Sequence, residues 1–226
     1  MTRRLAVLRP EPGASLTAAR ATDAGFDDVV TVPLFKVRPT DWTAPDPERF
    51  DAILMTSANA ARHGGEELRK LRALPVHAVG EATASAARAA GLMVDEVGEG
   101  GIDDLLARLP DGVRLLHLAG RHRRFPEDTS QTIVPVTVYT SIARESPRGF
   151  DFVEGAIALV HSPRAGARLF ELADRDGLDR GRIAVAAISE EAGAACGDGW
   201  ERRVVAGAPN DRDLLRAAKT LLVPNS

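Results

Sequence analysis

The sequence predicts an α/β protein of two similar lobes, each a parallel sheet flanked by helices. Three observations predict it. Short apolar runs without polar alternation recur along the chain, as in strands buried on both faces. Helical stretches separate most of these runs, the alternation that builds a parallel sheet. The pattern is also given twice: "DAILMTSANAARHGGEEL" from Asp51 to Leu68 is answered by "GAIALVHSPRAGARLFEL" from Gly155 to Leu172.

In chain order the apolar runs are "RRLAVLRP", "DDVVTVPLF", "FDAILMTS", "LPVHAVGE", "LMVDEVGE", "VRLLHLAG", "IVPVTVYTS", "AIALVHS", "RIAVAAIS" and "ERRVVAG". The helical patterns cover Ser15–Ala24, Ala58–Leu74, Ala82–Ala90, Asp103–Leu109, Arg164–Asp174, Glu190–Cys196 and Asp211–Leu222. Ser57, Gly80, Ser162 and Ser189 each stand where a run stops and a helix begins, as N-cap residues do.

The repeat has measurable offsets. Ser57 matches Ser162, 105 residues on. Glu81 matches Glu190 and Leu105 matches Leu214, both at 109, while Leu5 matches Leu115 at 110. The Val32-Pro33 pair answers Val134-Pro135. Each copy reads strand, helix, strand with Pro, then three further strand–helix steps.

The 226 residues suffice for two lobes of about 100 residues, each able to bury a core. A net charge of −3 and a pI near 6.0 argue against a general nucleic-acid binder. A single cysteine, Cys196, excludes an internal disulfide and a Cys-rich metal site. No stretch reaches the ~18 apolar residues of a membrane span. The first strand is too short for a secretory leader. The expectation is a cytoplasmic monomer that uses neither membrane nor nucleic acid.

The two runs with Pro are followed by "KVRPTDWTAPDPERF" and "TSIARESPRGF", segments with the composition of linkers. Proline cannot donate to the ladder of a central strand. Both runs therefore suit crossings between lobes, at about 32–40 and 134–146. Periodicity alone fits a sequential division, 1–110 and 111–226, equally well.

Taken together, "VLRP", "VPLFKV", "ILMTSANAAR", "VHAVGEATASAARAAG", "LLHLAG", "PVTVY", "LVHSPRAGARLF" and "AISEEAGAACGDGWERRVVAGAPNDRDLL" resemble the uroporphyrinogen-III synthase family. The likeness spans nearly the whole chain and rests on the order and spacing of the segments. It implies two α/β lobes joined by a two-stranded linker. It also implies a discontinuous first lobe, 1–35 with 146–226, a second lobe at 40–133, and linker strands at 32–40 and 134–146. Two departures stand out. "RHRRFPEDTSQT" is short for the helix the family carries after "LLHLAG", so a truncated helix is expected. "SEEA" at Ser189–Ala192 replaces the family's Gly and Thr, which removes a Thr hydroxyl.

The resemblance implies a cofactor-free cyclising lyase of tetrapyrrole (haem) biosynthesis. Its substrate would be hydroxymethylbilane, a linear tetrapyrrole with eight carboxylates. The enzyme would remove the terminal hydroxyl, invert the last pyrrole ring and close the macrocycle to uroporphyrinogen III. Pyrroles are electron-rich carbon nucleophiles, so such chemistry needs positioning and electrostatics rather than a metal or prosthetic group. A cleft between two lobes would suit a substrate of this size.

An octa-anion on a chain of net charge −3 requires local positive potential. Helix N-termini supply it through unpaired N–H groups and the dipole. The candidate ends are Ser57–Ala60 (with Ala58 and Asn59), Gly80–Thr83, Ser162–Arg164 and Ser189–Glu191. Arg9 follows the first strand, and Arg121, Arg123 and Arg124 follow its repeat partner. Arg62 and Arg164 are placed in the first turns of the matched helices. Among the histidines, His161 at a strand end is better placed than His63 or His122. Tyr139 is the sole tyrosine; the resemblance makes it the candidate proton donor, and a phenol can donate to a departing hydroxyl.

A two-lobe ligand-binding or sensor protein without catalysis is the rival reading. A nucleotide enzyme lacks its motifs here: there is no G-x-G-x-x-G or G-x-x-x-x-G-K-[ST], and "VGEGG" at 97–101 runs into acidic Asp103-Asp104.

Overall fold

The computed structural model describes residues 3–123, 126 and 128–222. It divides into two compact units, Met1–Lys36 with Ala143–Ser226 and Val37–Ile142. Elements are numbered in chain order.

In the first unit β1 (Leu5–Val7), β2 (Val29–Thr31), β9 (Ile157–Val160), β10 (Ala184–Ala187) and β11 (Arg202–Val205) form a sheet of order β11-β10-β9-β1-β2. Every pair in it is parallel. The period of two decides which residue packs where. Leu5, Val7, Ile157, Leu159, Ala184 and Ala186 face α1 (Gly13–Asp23) and α7 (Asp211–Lys219). Their neighbours Ala6, Leu8, Ala158, Val160, Val185 and Ala187 face α5 (Pro163–Arg175) and α6 (Glu190–Ala194). The central strands β9 and β10 are buried at every residue, as their unbroken apolar runs require.

The second sheet has the order β3-β8-β7-β4-β5-β6, built from β3 (Phe35–Pro39), β4 (Ala52–Met55), β5 (Val76–Val79), β6 (Val94–Gly98), β7 (Arg114–Gly120) and β8 (Thr132–Ala143). From β8 through β6 the pairs are parallel. Strand β3 runs against β8: Arg144 N donates to Leu34 O at 2.8 Å and Thr40 N to Val138 O at 3.1 Å. Ile53, Met55, Val76, Ala78, Leu116 and Leu118 pack under α2 (Ala58–His63) and α3 (Glu81–Ala89). Ala52, Leu54 and Leu115 pack under α4 (Ile102–Leu106) on the other face.

The registers test the repeat independently. Leu5 pairs Ile157 in one sheet, and Leu115 pairs Ala52 in the other. Those positions are 110 and 105 residues apart between the copies. Ala158 pairs Val185 while Ile53 pairs Val76, offsets of 105 and 109. Val185 pairs Arg203 and Val76 pairs Val94, a shared offset of 109. A one-residue slip would turn every side chain to the opposite face, so register is tightly fixed in sheets covered on both sides.

Two local expectations are corrected. The helix expected over Ala58–Leu74 stops at His63; Gly65, at φ +63°, turns the chain, and Gly65–Leu71 continues as a 3-10 helix. No helix joins β7 to β8 among the described residues, so the truncation after "LLHLAG" is complete there. Pro135 pairs His117 within the twelve-residue strand β8. It lies on the N-terminal side of the stretch hydrogen-bonded to β3, where β8 has a single neighbour, so its missing N–H is tolerated.

Leu116→Ala should lower stability by ~2–5 kcal/mol, since Leu116 is fully buried beneath α2 and α3. Val134→Thr, at an exposed position of β8, should change it by less than ~0.5 kcal/mol. Denaturant unfolding of the two variants checks the contrast.

Candidate functional site

In an open parallel sheet the strand order reverses at one point, and ligands bind outside the carboxyl ends there. In the first unit the chain moves from β1 to β2, then returns to the other side of β1 with β9. In the second unit it leaves β4 for β5 and β6, then returns to β4 with β7. Repeat-related strand pairs thus flank both switch points.

At the first, one buried carboxylate gathers the polar groups. Asp211 opens α7 after its N-cap Asn210 and is 8 % exposed. Its Oδ2 accepts from Thr17 Oγ1 at 2.8 Å and from Arg20 Nη1 at 2.6 Å, both on α1. Its Oδ1 accepts from Arg9 Nη1 at 3.3 Å and from His161 Nε2 at 3.2 Å, on the segments that follow β1 and β9. Arg9 Nη1 also reaches Thr17 Oγ1 at 3.3 Å. Burial alone would raise the Asp211 carboxyl. Hydrogen bonds from His161, Thr17 and Arg20 outweigh it and hold the group far below the usual carboxylate range. Burial lowers His161, against the opposing bond from Asp211. An ionised carboxylate only accepts, so Nε2 of the neutral His161 ring carries the proton.

At the second switch point His117 stands behind Thr56. Its ring is 1 % exposed, and Nε2 lies 3.2 Å from Thr56 Oγ1. Burial, aided by the Arg123 charge, pushes His117 down to about 4. Arg123 Nη1 donates to Gly120 O at 3.2 Å and to Thr137 Oγ1 at 3.1 Å. Tyr139 lies in register with Gly120, and a Cβ on Gly120 would stand 2.7 Å from the Tyr139 ring. Only glycine permits that approach. The ring is also 6.3 Å, centroid to centroid, from His63 at the end of α2. Burial lowers His63, and the adjacent Arg62 charge lowers it further.

Four helix starts stand at the same carboxyl edges. Ser57 Oγ accepts from Asn59 N at 3.2 Å, Ser162 Oγ from Ala165 N at 3.2 Å, and Ser189 Oγ from Ala192 N at 3.3 Å. These hydroxyls are N-caps. Gly80 starts α3 without a side-chain cap. Thr83 and Ala58 are buried, so any ligand contact at these positions falls to the backbone. Helices α2 and α6 have only six and five residues, too short for a full macrodipole, whereas α3 and α5 have nine and thirteen. Arg164 is in the first turn of α5 as expected, 4.8 Å above the Phe35 ring. Arg62 is not in the first turn: it is the fifth residue of α2 and lies in the last turn. Arg121 is exposed, and its N–H donates to Tyr139 O at 2.9 Å. Arg124 lies outside the described residues.

With this geometry in place, the comparisons are specific. A family model described as uroporphyrinogen-III synthase HemD matches residues 15–216. The chain belongs to the uroporphyrinogen-III synthase family. Solved synthases share its fold. The uroporphyrinogen-III synthetase of Helicobacter pylori 26695 aligns over 97 % of this chain and 99 % of its own, with 18 % identity and a TM-score of 0.64. A mutant uroporphyrinogen III synthase of Thermus thermophilus aligns over 97 % of this chain and 98 % of its own, with 19 % identity and a TM-score of 0.51. The search of curated proteins gave no match. No helix among the described residues is long and apolar enough to cross a membrane.

Against this family background, reading the sequence alone misses Asp211, Thr17, Arg20, Thr56 and His117. One signal was available. Thr17 interrupts the buried stripe Ala14, Thr17, Ala21 at helical spacing, and a polar residue on an apolar face needs a partner. Asp211 gives no such sign, because an acid opening a helix is explained by the dipole alone.

The buried histidines set a pH dependence. An unfolded His takes up its proton near pH ~6.5; folded His117 does so only near 4. Between these values the unfolded chain binds more protons, so the His117 contribution to stability falls as the pH drops from about 6.5 to about 4 and levels off below. His77 and His161 shift in the same direction. Unfolding measured across about pH 4–7 should show this slope, and His117→Gln should remove up to ~3 kcal/mol of it.

Proposed function

We propose that the chain converts hydroxymethylbilane to uroporphyrinogen III, losing water and inverting the terminal ring. The observation that carries this reading is the family match over residues 15–216, on a chain whose two switch points both carry cationic and hydroxyl groups. A non-catalytic sensor is not favoured by that membership. The reaction as read here needs no cofactor, because the attacking atom is a pyrrole carbon of the substrate.

The chain's own residues then have these roles. Arg9, Arg62, Arg121 and Arg164 offer charge to substrate carboxylates, with His161 beside Arg9. Backbone N–H groups at Ser57, Ala58, Glu81, Ala82, Ser162, Arg164 and Ser189 take others; Pro163 has none, and those of Asn59, Gly80 and Thr83 are used within the fold. Distributed donors suit an octa-anion, since a hydrogen bond to a charged group contributes ~1.5–3 kcal/mol and the loss of one among many is tolerable. Tyr139 donates a proton to the departing hydroxyl. Its register with Gly120 and its packing on that glycine support this role. We further take the enzyme to be a cytoplasmic monomer that binds neither nucleic acid nor membrane; the net charge of −3 supports the nucleic-acid part.

The isomer ratio tests the function. Free hydroxymethylbilane cyclises to the type I isomer, and adding the protein should divert it to type III with no added cofactor. An unchanged ratio would refute the assignment.

Tyr139→Phe should slow the reaction by ~10²-fold at most, the low end of general-acid catalysis, because the leaving hydroxyl is already activated by its own pyrrole. Gly120→Ala should be as damaging to rate and also cost ~1–3 kcal/mol of stability, since its methyl displaces the Tyr139 ring. Steady-state rates with denaturant curves check both; a Gly120→Ala enzyme of normal rate would separate the ring's position from catalysis.

A further inference from the structure

We propose that Asp211 is a positioning residue for substrate binding, acting through Arg9 and His161. The proposal rests on the synthase reading above.

The two oxygens of Asp211 divide the work. Oδ2 ties α7 to α1 through Thr17 and Arg20. Oδ1 holds the two side chains that emerge beside the switch point, Arg9 after β1 and His161 after β9. Exposure grades outward from the carboxylate. The side chains of Asp211 and His161 are 7 % and 6 % exposed, and that of Arg9 is 36 % exposed. A buried anion thus grips a guanidinium that still reaches solvent.

Asp211 thus meets two guanidinium groups, of Arg9 and Arg20, together with the ring of His161. A purely structural tie would not need this composition. Well-packed apolar side chains hold helices together at least as well as buried ion pairs, which repay their desolvation only with good geometry. What the carboxylate adds is a fixed direction for Arg9. A long flexible cation otherwise loses rotamer entropy each time it binds a carboxylate, and holding it in place beforehand removes that loss.

A double-mutant cycle on KM for hydroxymethylbilane tests this. Asp211→Asn keeps the shape but puts an amide N–H₂ opposite donors. It should raise KM about tenfold and change kcat less than about threefold. Arg9→Gln should raise KM by a similar factor. If Asp211 acts through Arg9, the double variant should be no worse than the poorer single variant within about threefold, well short of the ~100-fold product of independent effects. If Asp211→Asn does not fold, Thr17→Val, which removes a donor from the same carboxylate, replaces it. It should raise KM about two- to fivefold with Arg9 present and have no effect on the Arg9→Gln background. Multiplied KM effects, or an Asp211→Asn enzyme that loses stability while KM stays unchanged, overturn the proposal. Wild-type protein that fails to yield type III isomer overturns the synthase reading along with it. Normal wild-type turnover with multiplied effects overturns the positioning role alone.

Discussion

A parallel sheet covered by helices on both faces leaves polar side chains few places to go. Unpaired polar groups are costly in its interior, so they collect where the strands end. The first unit obeys this constraint, and the second departs from it at His77 and His117, buried within β5 and β7. The strand interiors are otherwise mainly Leu, Ile, Val and Ala, and the polar side chains of the edges begin within two residues of a strand's end: Arg9, Thr56, Ser57, His161, Ser162 and Ser189. The carboxyl edges hold the functional candidates because the faces cannot.

The two edges are repeat-related in backbone but not in side chains. In the first unit α1 follows β1 and, with α7, encloses Asp211 and its four donors. In the second unit the equivalent helix after β7 is missing among the described residues, and α4 is the helix on that face. There a buried neutral His117 takes the interior place, paired to Thr56, and Arg123 bonds back onto Gly120 and Thr137. One scaffold thus supports an ionic edge and a largely hydroxyl and aromatic edge. Such an asymmetry suits a substrate that needs carboxylates held and, at one end, a hydroxyl expelled.

Much of the fold can be read from the sequence because buried parallel strands leave an unambiguous trace. "AIALV" and "RIAVAA" are continuous apolar runs, and the offsets between the two copies reproduce the observed registers pair by pair. Helix ends are harder. Ala58–Leu74 keeps a helical pattern through Gly64-Gly65, and the break depends on backbone freedom that periodicity does not register. Ser57, Ser162 and Ser189 are legible as helix starts, and each hydroxyl is in fact used as a cap. The Asp211 cluster is invisible in the sequence for a different reason. Its members lie as far apart as residues 9 and 211, and only the parallel pairing of β1 with β9 and the return of α7 bring them together.

The central claim is that substrate carboxylates are held at the carboxyl edges of both sheets. Amide hydrogen exchange with and without bound uroporphyrinogen III tests it most directly, because the proposed donors are backbone N–H groups. The account predicts slowed exchange at residues 57, 58, 81, 82, 162, 164 and 189–191, with little change along the outer faces of α1 and α7. Protection confined to one unit, or concentrated on those helix faces, would contradict it.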